Sequence, residues 1–362
     1  MTGPVAAPAV HPAGSQVPGR VLRILDGRVS ARVRPRTVVV GAVLTALLLL
    51  VSLCLLLTGD YPASPAQVVR TVFGDGPRGL ETVVHRFRMP RLLVAIGVGA
   101  ALAVSGGIFQ SLARNPLGSP DVIGFTTCSA TGALLVILVF PDSPVGVPAG
   151  ALLGGLVAAL VVYALAYRRG VQGNRLILVG LGVSAVAESA NSFLLSRAAL
   201  EDAQDAQRWL VGSVNGRGWD YVGPLWAALA VLLPIALLLS RQLAVMELGD
   251  DLALSLGIGV ERVRLCLVVC GVALTAVATA AAGPIAFVAL AAPQITRRLV
   301  GTGAPVFLPA ALMGALIVTS ADLAGQRLLH PIQMPVGLST GAIGGVYLIW
   351  LLSRELRLGG RA

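Results

Sequence analysis

The 362 residues are 56% hydrophobic and only 12% charged, with a mean hydropathy of +0.85. A soluble domain carries about 25% charged residues, so this composition predicts an all-α, polytopic membrane protein. All 27 basic residues are arginine. The lack of lysine excludes a P-loop lysine, a Schiff-base lysine and a Ser–Lys dyad, so a driving nucleotide hydrolase would be another polypeptide.

The formal net charge of +10 is spread along the chain. Because the arginines stand between apolar runs, they favour membrane topology over nucleic-acid binding, and we expect membrane lipid but no nucleic acid as a partner. The cysteines, Cys54, Cys128, Cys266 and Cys270, fall in apolar segments and should pack as small hydrophobes. No histidine or carboxylate stands near Cys266 and Cys270 to complete a metal site, so we predict none.

The first 36 residues are rich in Pro, Ala and Gly, and then in arginine. This composition predicts a disordered basic cytoplasmic tail that anchors the first span. The transmembrane domain is predicted to cover residues 37–355, and residues 356–362 to form a second cytoplasmic tail.

About ten apolar segments follow the tail. The eighth falls short of the ~20 residues that cross a bilayer. It is separated from the seventh only by Gly283-Pro284, so we predict a full span and a short one joined by a tight turn, with Pro284 opening the second helix. The segments are 37–57, 90–112, 121–140, 147–167, 175–196, 221–240, 263–282, 284–296, 305–325 and 335–353.

Ten crossings would leave both termini on one side of the membrane. With the N-terminus inside, the inner loops and tails carry 18 arginines and the outer loops 9. Because inner loops are enriched in basic residues, this ratio predicts cytoplasmic termini. The outer loop 58–89 is unusually basic, which suggests that an acidic partner docks there.

Residues 247–264, called here the coupling segment, interrupt two apolar runs. Gly257 and Gly259 predict two short helices with a hinge between them. The leucines, among them Leu252, share one helical face, and the acids, among them Asp250, point away from it. We interpret the segment as a docking surface for a cytoplasmic partner, with the leucines seated on the bundle; the alternative is an amphipathic loop on the lipid interface.

The turn between the second and third segments reads LARNPLGSPDVIG (112–124). Asn115-Pro116 stops one helix and Ser119-Pro120-Asp121 starts the next, with Asp121 as its predicted cap. Together with the motifs listed next, it resembles the permease subunits of type II ABC importers for iron-siderophores, haem and cobalamin. These motifs are RFRMPR (86–91), ALAVSGGIFQ (101–110), GNRLILVGLGVSA (173–185), WLVGSVNGRGWD (209–220), AAGPIAFVALAAPQITRRLVG (281–301) and ADLAGQR…PIQMPVGLSTGAIGG (321–345).

The resemblance implies a transporter subunit that is not itself an enzyme. It implies a permease homodimer or a pair with a sister permease, two cytoplasmic ABC ATPase subunits that bind ATP and magnesium, and an extracytoplasmic siderophore-binding lipoprotein. The permease itself would bind no cofactor. The substrate it implies is a ferric siderophore, with cobalamin or haem as alternatives.

The resemblance also assigns roles to residues of this sequence. It makes the coupling segment a pair of coupling helices that enter the ATPase. The implied ATPase contacts are Asp250, Asp251, Leu254, Gly257 and Val260; the implied inner gate is Asn115, Leu117, Gly173 and Asn174; the implied docking arginines for the binding protein are Arg88, Arg91 and Arg327.

The sequence departs from the family pattern at three places. Many members have histidine where this chain has Gln294, glutamate where it has Gln333, and arginine where it has Gln326. The last departure leaves Arg327, one position on, as the third docking arginine. The variants PQITRR (293–298) and AGQR (324–327) resemble the branch associated with catecholate siderophores such as ferric enterobactin.

Glu188 and Asp322 are the only carboxylates well inside predicted spans, where acids are costly and usually paired or functional. We expect Asp322 to tie its helix to a neighbour. Glu188, with Asn191, either lines the cavity or is hydrogen-bonded within the bundle. A secondary transporter would need more such coupling acids, and an intramembrane protease would need a buried Ser–His or paired-Asp site.

Overall fold

The computed structural model describes residues 20–24, 29–59, 61, 63–141, 146–166, 173–328 and 333–359. Helices dominate these residues. They are α1 (Pro35–Leu57), α2 (Pro65–Val72), α3 (Arg78–Val83), α4 (Met89–Ala113), α5 (Phe125–Leu138), α6 (Gly146–Ala166), α7 (Gly173–Arg197), α8 (Leu200–Leu210), α9 (Trp219–Glu247), α10 (Asp250–Ser255), α11 (Val260–Ala282), α12 (Val288–Val300), α13 (Phe307–Arg327) and α14 (Val336–Gly359).

The two predicted tails differ from the structure. Strands β1 (Arg20–Ile24) and β2 (Val29–Val33) pair antiparallel, although residues 1–36 were predicted to be disordered. In β2, VSARV, apolar and polar residues alternate, which is the period typical of a strand. At the other end, α14 continues to Gly359, into the predicted tail 356–362. Residues 1–19 and 360–362 lie outside the described part.

Each of the ten predicted apolar segments contains one helix. Seven helices in the described residues are long and apolar enough to cross a membrane, and α5 is a shorter apolar helix. The structure therefore supports a polytopic helical protein. The seven long helices are α1, the α3–α4 unit, α6, α7, α9, α11 and α13.

Pro284 does not open a helix, contrary to the prediction. Residues 283–287 are not helical, and α12 begins only at Val288. The break is tied to the chain before α9, because the backbone N–H of Ser213 donates to the carbonyl of Ala282 at 2.7 Å. This bond satisfies one of the carbonyl groups that the end of α11 leaves free.

Helix α4 is the centre of the bundle, packed against α9, α11, α12 and α13. A Cβ atom on Gly99 would overlap the carbonyl oxygen of Gly314 in α13, and one on Gly106 would overlap that of Ala289 in α12. Lipid offers no hydrophobic drive for helix association, so close backbone contact at small residues supplies the attraction. The sequence thus fixes α12 against α4, which positions the site described below.

A π-turn, Val84–Arg88, joins α3 to α4. The proline at position 90 lacks an N–H and would clash with the carbonyl of Arg86 in a regular helix. A wider turn relieves this conflict. It leaves Arg86 and Phe87 exposed at this end of the bundle, called here the Arg91 end. The opposite end carries α10 and is called the α10 end.

Candidate coupling and gating site

The loop between α4 and α5, residues 114–124, is called here the gate loop. It starts at Arg114, whose φ of 48° lies in the left-handed region where helices usually place glycine. Asn115 Oδ1 then accepts the backbone N–H of Leu117 at 2.9 Å, a local turn that fixes the loop. The side chain of Leu117 is 46% exposed. The predicted gate residues Asn115 and Leu117 therefore lie together in one defined turn.

Helix α12 holds the gate loop and the end of α4. Gln294 Nε2 donates to the carbonyl of Pro116 at 2.6 Å. In the last turn of α12, Arg297 donates to Ser111 Oγ and, at 3.0 Å, to Glu247 Oε1. The departure at Gln294 therefore places an amide donor on the gate loop. Sequence reasoning missed Arg297, whose partners lie 50 and 186 positions away.

Asp121 links the gate loop to the start of α12. Thr126 Oγ1 donates to its Oδ1 at 2.6 Å, and the backbone N–H of Phe287 also donates to the carboxyl group. Burial raises the pKa of Asp121 to about 6, and these two hydrogen bonds oppose the shift. Asp121 was predicted to cap α5, but Gly124 occupies that position. The cap prediction is wrong because the carboxyl group binds the more distant Phe287, which has a left-handed backbone.

The coupling segment has the predicted two helices, α10 and the start of α11. Gly257 has a φ of +79°, which a residue with a side chain rarely adopts, and Val260 begins α11. Asp251 and Gly257 are exposed, whereas Val260 is only 5% exposed. The hinge prediction therefore agrees with the backbone, and Val260 anchors the segment rather than facing out.

The leucines of the coupling segment face away from the bundle. This reverses the prediction that they seat the segment on it. Amphipathic spacing shows which residues share a face, but not which face meets the bundle. The exposed leucines are Leu248 (74%), Leu252 (45%), Leu254 (59%) and Leu256 (63%).

Two acids of the segment instead hold it to the bundle. Asp250 Oδ1 accepts from Arg114 Nη2 at 2.6 Å, and Asp250 Oδ2 accepts from Arg264 Nη2 at 2.7 Å. Arg264 also donates to Glu261 at 2.8 Å. Glu247 pairs with Arg297, as described above. Bonds between charged groups are the stronger class of hydrogen bond, so these contacts fix α10 relative to both α4 and α11.

At the Arg91 end, Arg91 and Asp322 form a two-pronged ion pair. Arg91 Nε and Nη2 donate to the two carboxylate oxygens of Asp322 at 2.9 and 2.7 Å, and the side chains are 16% and 1% exposed. Arg91 Nη1 also donates to Asn215 and Gln333, and Gln326 donates to Asp322. Asp322 thus ties α13 to α4, as expected. The departures at Gln326 and Gln333 both lie on this network.

The other predicted docking arginines also bind within the chain. Arg88 donates to the carbonyls of Leu56 and Tyr61 at 2.7 and 3.1 Å. Arg327 donates to Thr58 Oγ1 at 3.2 Å through Nη2 and remains exposed. Docking by Arg88, Arg91 and Arg327 stays a prediction. A cavity of about 490 Å³ opens here, lined by Arg86, Arg88, Arg91 and Arg217, among others.

The remaining predicted residues lie on α7, away from this network. Gly173 and Asn174 are its first two residues, and their side chains lie outside the described part. Glu188 is exposed, and the structure records no hydrogen bond or ion pair for it among the described residues. Asn191 is 8% exposed, and its Oδ1 has no partner there. The described residues thus give Glu188 no internal hydrogen bond, and its place at the cavity stays a prediction.

These features define a class of protein. The described residues contain no group of three or more His, Cys, Asp or Glu side chains that could hold a metal. What they contain is a bundle of long apolar helices, a gate loop held by ion pairs and an apolar surface outside the bundle. This is the architecture of a membrane transport subunit that works with another protein.

Comparison with known proteins agrees with this class. Residues 44–354 match the model of the FecCD transport family. The chain is 46% identical over 316 residues to the ferric enterobactin transport system permease protein FepG of Escherichia coli (strain K12), covering 86% of this chain and 96% of that protein. It is 39% identical over 336 residues to the achromobactin transport system permease protein CbrC of Dickeya dadantii (strain 3937), covering 91% and 95%.

Two further similarities extend the comparison. The chain is 34% identical over 279 residues to the hemin transport system permease protein HmuU of Yersinia pestis, covering 74% and 82%. A solved metal-chelate type ABC transporter in an inward-facing conformation superposes with a TM-score of 0.79 at 28% identity, covering 87% of this chain and 99% of that one. The chain belongs to the FecCD transport family and is a multi-pass protein of the cytoplasmic membrane.

Proposed function

We propose that the chain is the membrane-spanning subunit of an ATP-driven importer that carries ferric siderophores across the cytoplasmic membrane. Its relatives include permeases named for ferric enterobactin and achromobactin. The variants PQITRR (293–298) and AGQR (324–327), which resemble the catecholate branch, favour a catecholate substrate. The substrate enters at the Arg91 end and leaves past the gate loop.

The observation that carries the proposal is the outward-facing leucine surface of the coupling segment. Four leucines on a short helix and its flanks are exposed by 45–74%. An apolar patch of this kind marks a protein or membrane contact, and here it projects from charged anchors at the end of the bundle. We propose that this surface binds in a cleft on an ABC ATPase. The ATPase would bind ATP and magnesium and hydrolyse the ATP, because this chain has no lysine for a P-loop of its own.

The complete complex would contain two such permeases, as a homodimer or with a sister permease, and two ATPase subunits. An extracytoplasmic siderophore-binding lipoprotein would dock at the Arg91 end, where positive side chains line the cavity and rim charges speed association. In this arrangement the ten helices α1, α4–α7, α9 and α11–α14 span the membrane. Both termini then lie in the cytoplasm with the coupling segment.

The proposal is tested by transport in proteoliposomes that contain the permease, the ATPase and the binding protein. We expect ATP-dependent uptake of iron supplied as ferric enterobactin, and none when ATP is replaced by a non-hydrolysable analogue. Uptake driven only by an ion gradient would contradict the proposal. Haem is the second candidate, because HmuU is a hemin permease; haem uptake without siderophore uptake would establish it instead.

The docking assignment is tested by Leu254→Asp, which places a charge in the leucine surface. We expect the ATPase to dissociate from the permease during purification, whereas Leu200→Asp, at a leucine 74% exposed on α8, leaves the complex intact. The variant Gly257→Pro should abolish uptake at normal protein levels, because proline cannot adopt the positive φ of the hinge. Intact complexes and normal uptake in both variants would contradict the coupling role.

A further inference from the structure

We propose that Arg114 is a positioning residue that carries movement of α10 to the gate loop. The inference rests on the proposed function, since it concerns how an ATPase bound at α10 opens the path. Arg114 was not among the residues predicted from the sequence. Its role follows from where its side chain and its backbone lie.

One guanidinium group joins the coupling segment to the gate. Arg114 Nη2 donates to Asp250 Oδ1 at 2.6 Å and to the carbonyl of Met246 at 2.7 Å. These two acceptors stand on either side of Leu248, the first leucine of the docking surface. The gate residue Asn115 follows Arg114 directly. A displacement of the docking surface can therefore be passed directly to the start of the gate loop by this side chain.

The backbone of Arg114 supports a functional side chain. Its φ of 48° is a conformation that glycine adopts freely and that other residues rarely adopt. Glycine is the usual residue at this position after a helix. An arginine here is therefore unfavourable for the turn itself, and its bonds to Asp250 of the coupling segment and to Met246 at the end of α9 account for it.

The pair is built so that it can separate and reform. The side chains of Arg114 and Asp250 are 48% and 43% exposed, so parting them leaves no buried, unpaired charge. Asp250 would remain bound to Arg264 of α11, which is 8% exposed in the bundle. Discrete contacts that exchange in this way are how packed proteins convert small shifts into switching.

A second set of contacts, through α12, also joins the coupling segment to the gate loop. Glu247, just before α10, pairs with Arg297 of α12, and Gln294 of α12 holds the carbonyl of Pro116. Movement of α10 thus reaches both the start and the middle of the loop. The two acids that flank Leu248 and Gly249 each serve one of these routes.

The decisive variant is Arg114→Gly, which keeps the left-handed turn and removes the side chain. In the reconstituted complex we expect uptake per ATP hydrolysed to fall roughly tenfold while ATP hydrolysis stays within about twofold, in the range of known coupling energies. Arg114→Lys keeps the charge and one donor nitrogen, and should restore part of the ratio. The control is Arg208→Gln, which removes an exposed arginine ion pair on α8.

A second measurement reports the gate itself. A thiol placed by Leu117→Cys, in a background where the exposed Cys266 is replaced by alanine, is labelled with a maleimide with and without ATP. We expect ATP to change the labelling rate when Arg114 is present and to change it much less in Arg114→Gly, where only the route through Glu247 and Arg297 remains. This assay needs no siderophore, so it stays informative even if the wild-type complex fails to import iron and the proposed function is wrong.

The linkage is overturned by either of two results. One is an Arg114→Gly variant with wild-type uptake per ATP and wild-type labelling. The other is a parallel fall of uptake, ATP hydrolysis and melting temperature, which would make Arg114 a residue of stability alone. The linkage is supported if uptake per ATP hydrolysed falls while the rate of ATP hydrolysis and the melting temperature stay unchanged.

Discussion

Arginine–carboxylate pairs occur at both ends of the bundle, but their exposure differs. At the Arg91 end, Asp322 is 1% exposed and receives both prongs of one arginine. At the α10 end, Asp250 is 43% exposed and is shared between Arg114 and Arg264. A buried pair loses much when one partner is removed, whereas exposed pairs are worth little. The buried pair of Arg91 and Asp322, called here the clamp, suits a permanent structural contact. The exposed pairs of Asp250 suit contacts that change during a transport cycle.

The largest expected effect comes from breaking the clamp. Asp322→Ala leaves Arg91 unpaired and should destabilise the protein by about 3–5 kcal/mol. Folded yield and melting temperature in detergent measure it. The double variant Asp322→Leu with Arg91→Met should recover most of the loss, because an apolar pair replaces a buried ion pair at little cost. A single variant as stable as the wild type would show that the clamp is not structural.

Removing the partly buried acid at the α10 end should have an intermediate effect. Glu247 and Arg297 are 18% and 24% exposed, so Glu247→Ala should cost about 1–2 kcal/mol. Glu247→Gln keeps an oxygen that accepts from Arg297 and serves as its control. The same melting measurement applies, and a loss as large as that of Asp322→Ala would erase the contrast between the two ends.

The raised pKa of Asp121 predicts that the stability of the protein depends on pH. Its pKa in the folded protein is about 6, above the ordinary value of 3.8. The protonated form therefore favours folding, and this stabilisation is complete at acid pH and lost as pH rises through about 6. Asp121→Asn removes the titration, so wild-type melting temperature should fall relative to the variant between about pH 4 and 6. Parallel curves would contradict the shift.

The smallest effect is expected at the exposed pair of α8. Arg208 and Asp205 are 75% and 68% exposed and stand 2.8 Å apart. Asp205→Asn should change stability by less than about 0.5 kcal/mol. This variant sets the baseline against which both ends of the bundle are judged. A loss of stability larger than about 0.5 kcal/mol would mean that the exposure of an ion pair does not predict its contribution to stability.

Much of the helical framework could be predicted from the sequence, because long apolar runs bounded by arginine leave few alternatives in a membrane. The sequence predicted the helix break at Gly283-Pro284, but not that the non-helical stretch extends to residue 287. Pro284 stops α11 as easily as it opens α12. Hydrogen bonds to Ser213 and Asp121, which lie far away in the chain, hold residues 283–287 in the non-helical conformation.

The ion-pair network could not be predicted, since its partners are separated by up to 231 residues. One local signal was available: Arg114 stands between a helix and Asn-Pro, where glycine is usual. The orientation of the coupling segment failed for a different reason. Periodicity groups Leu248 with Leu252, but the arginines that attract Glu247 and Asp250 are identified only by the folded bundle.

The leucine surface has a consequence for biogenesis. In the proposed complex the ATPase covers these leucines, so a permease inserted without it would leave them exposed, and chaperones and proteases recognise exposed apolar segments. We expect the permease to accumulate only when the ATPase is made with it, and the orphan subunit to be degraded quickly. The cell would then match the amounts of the two proteins through turnover, with Leu248, Leu252, Leu254 and Leu256 as the signal that assembly conceals.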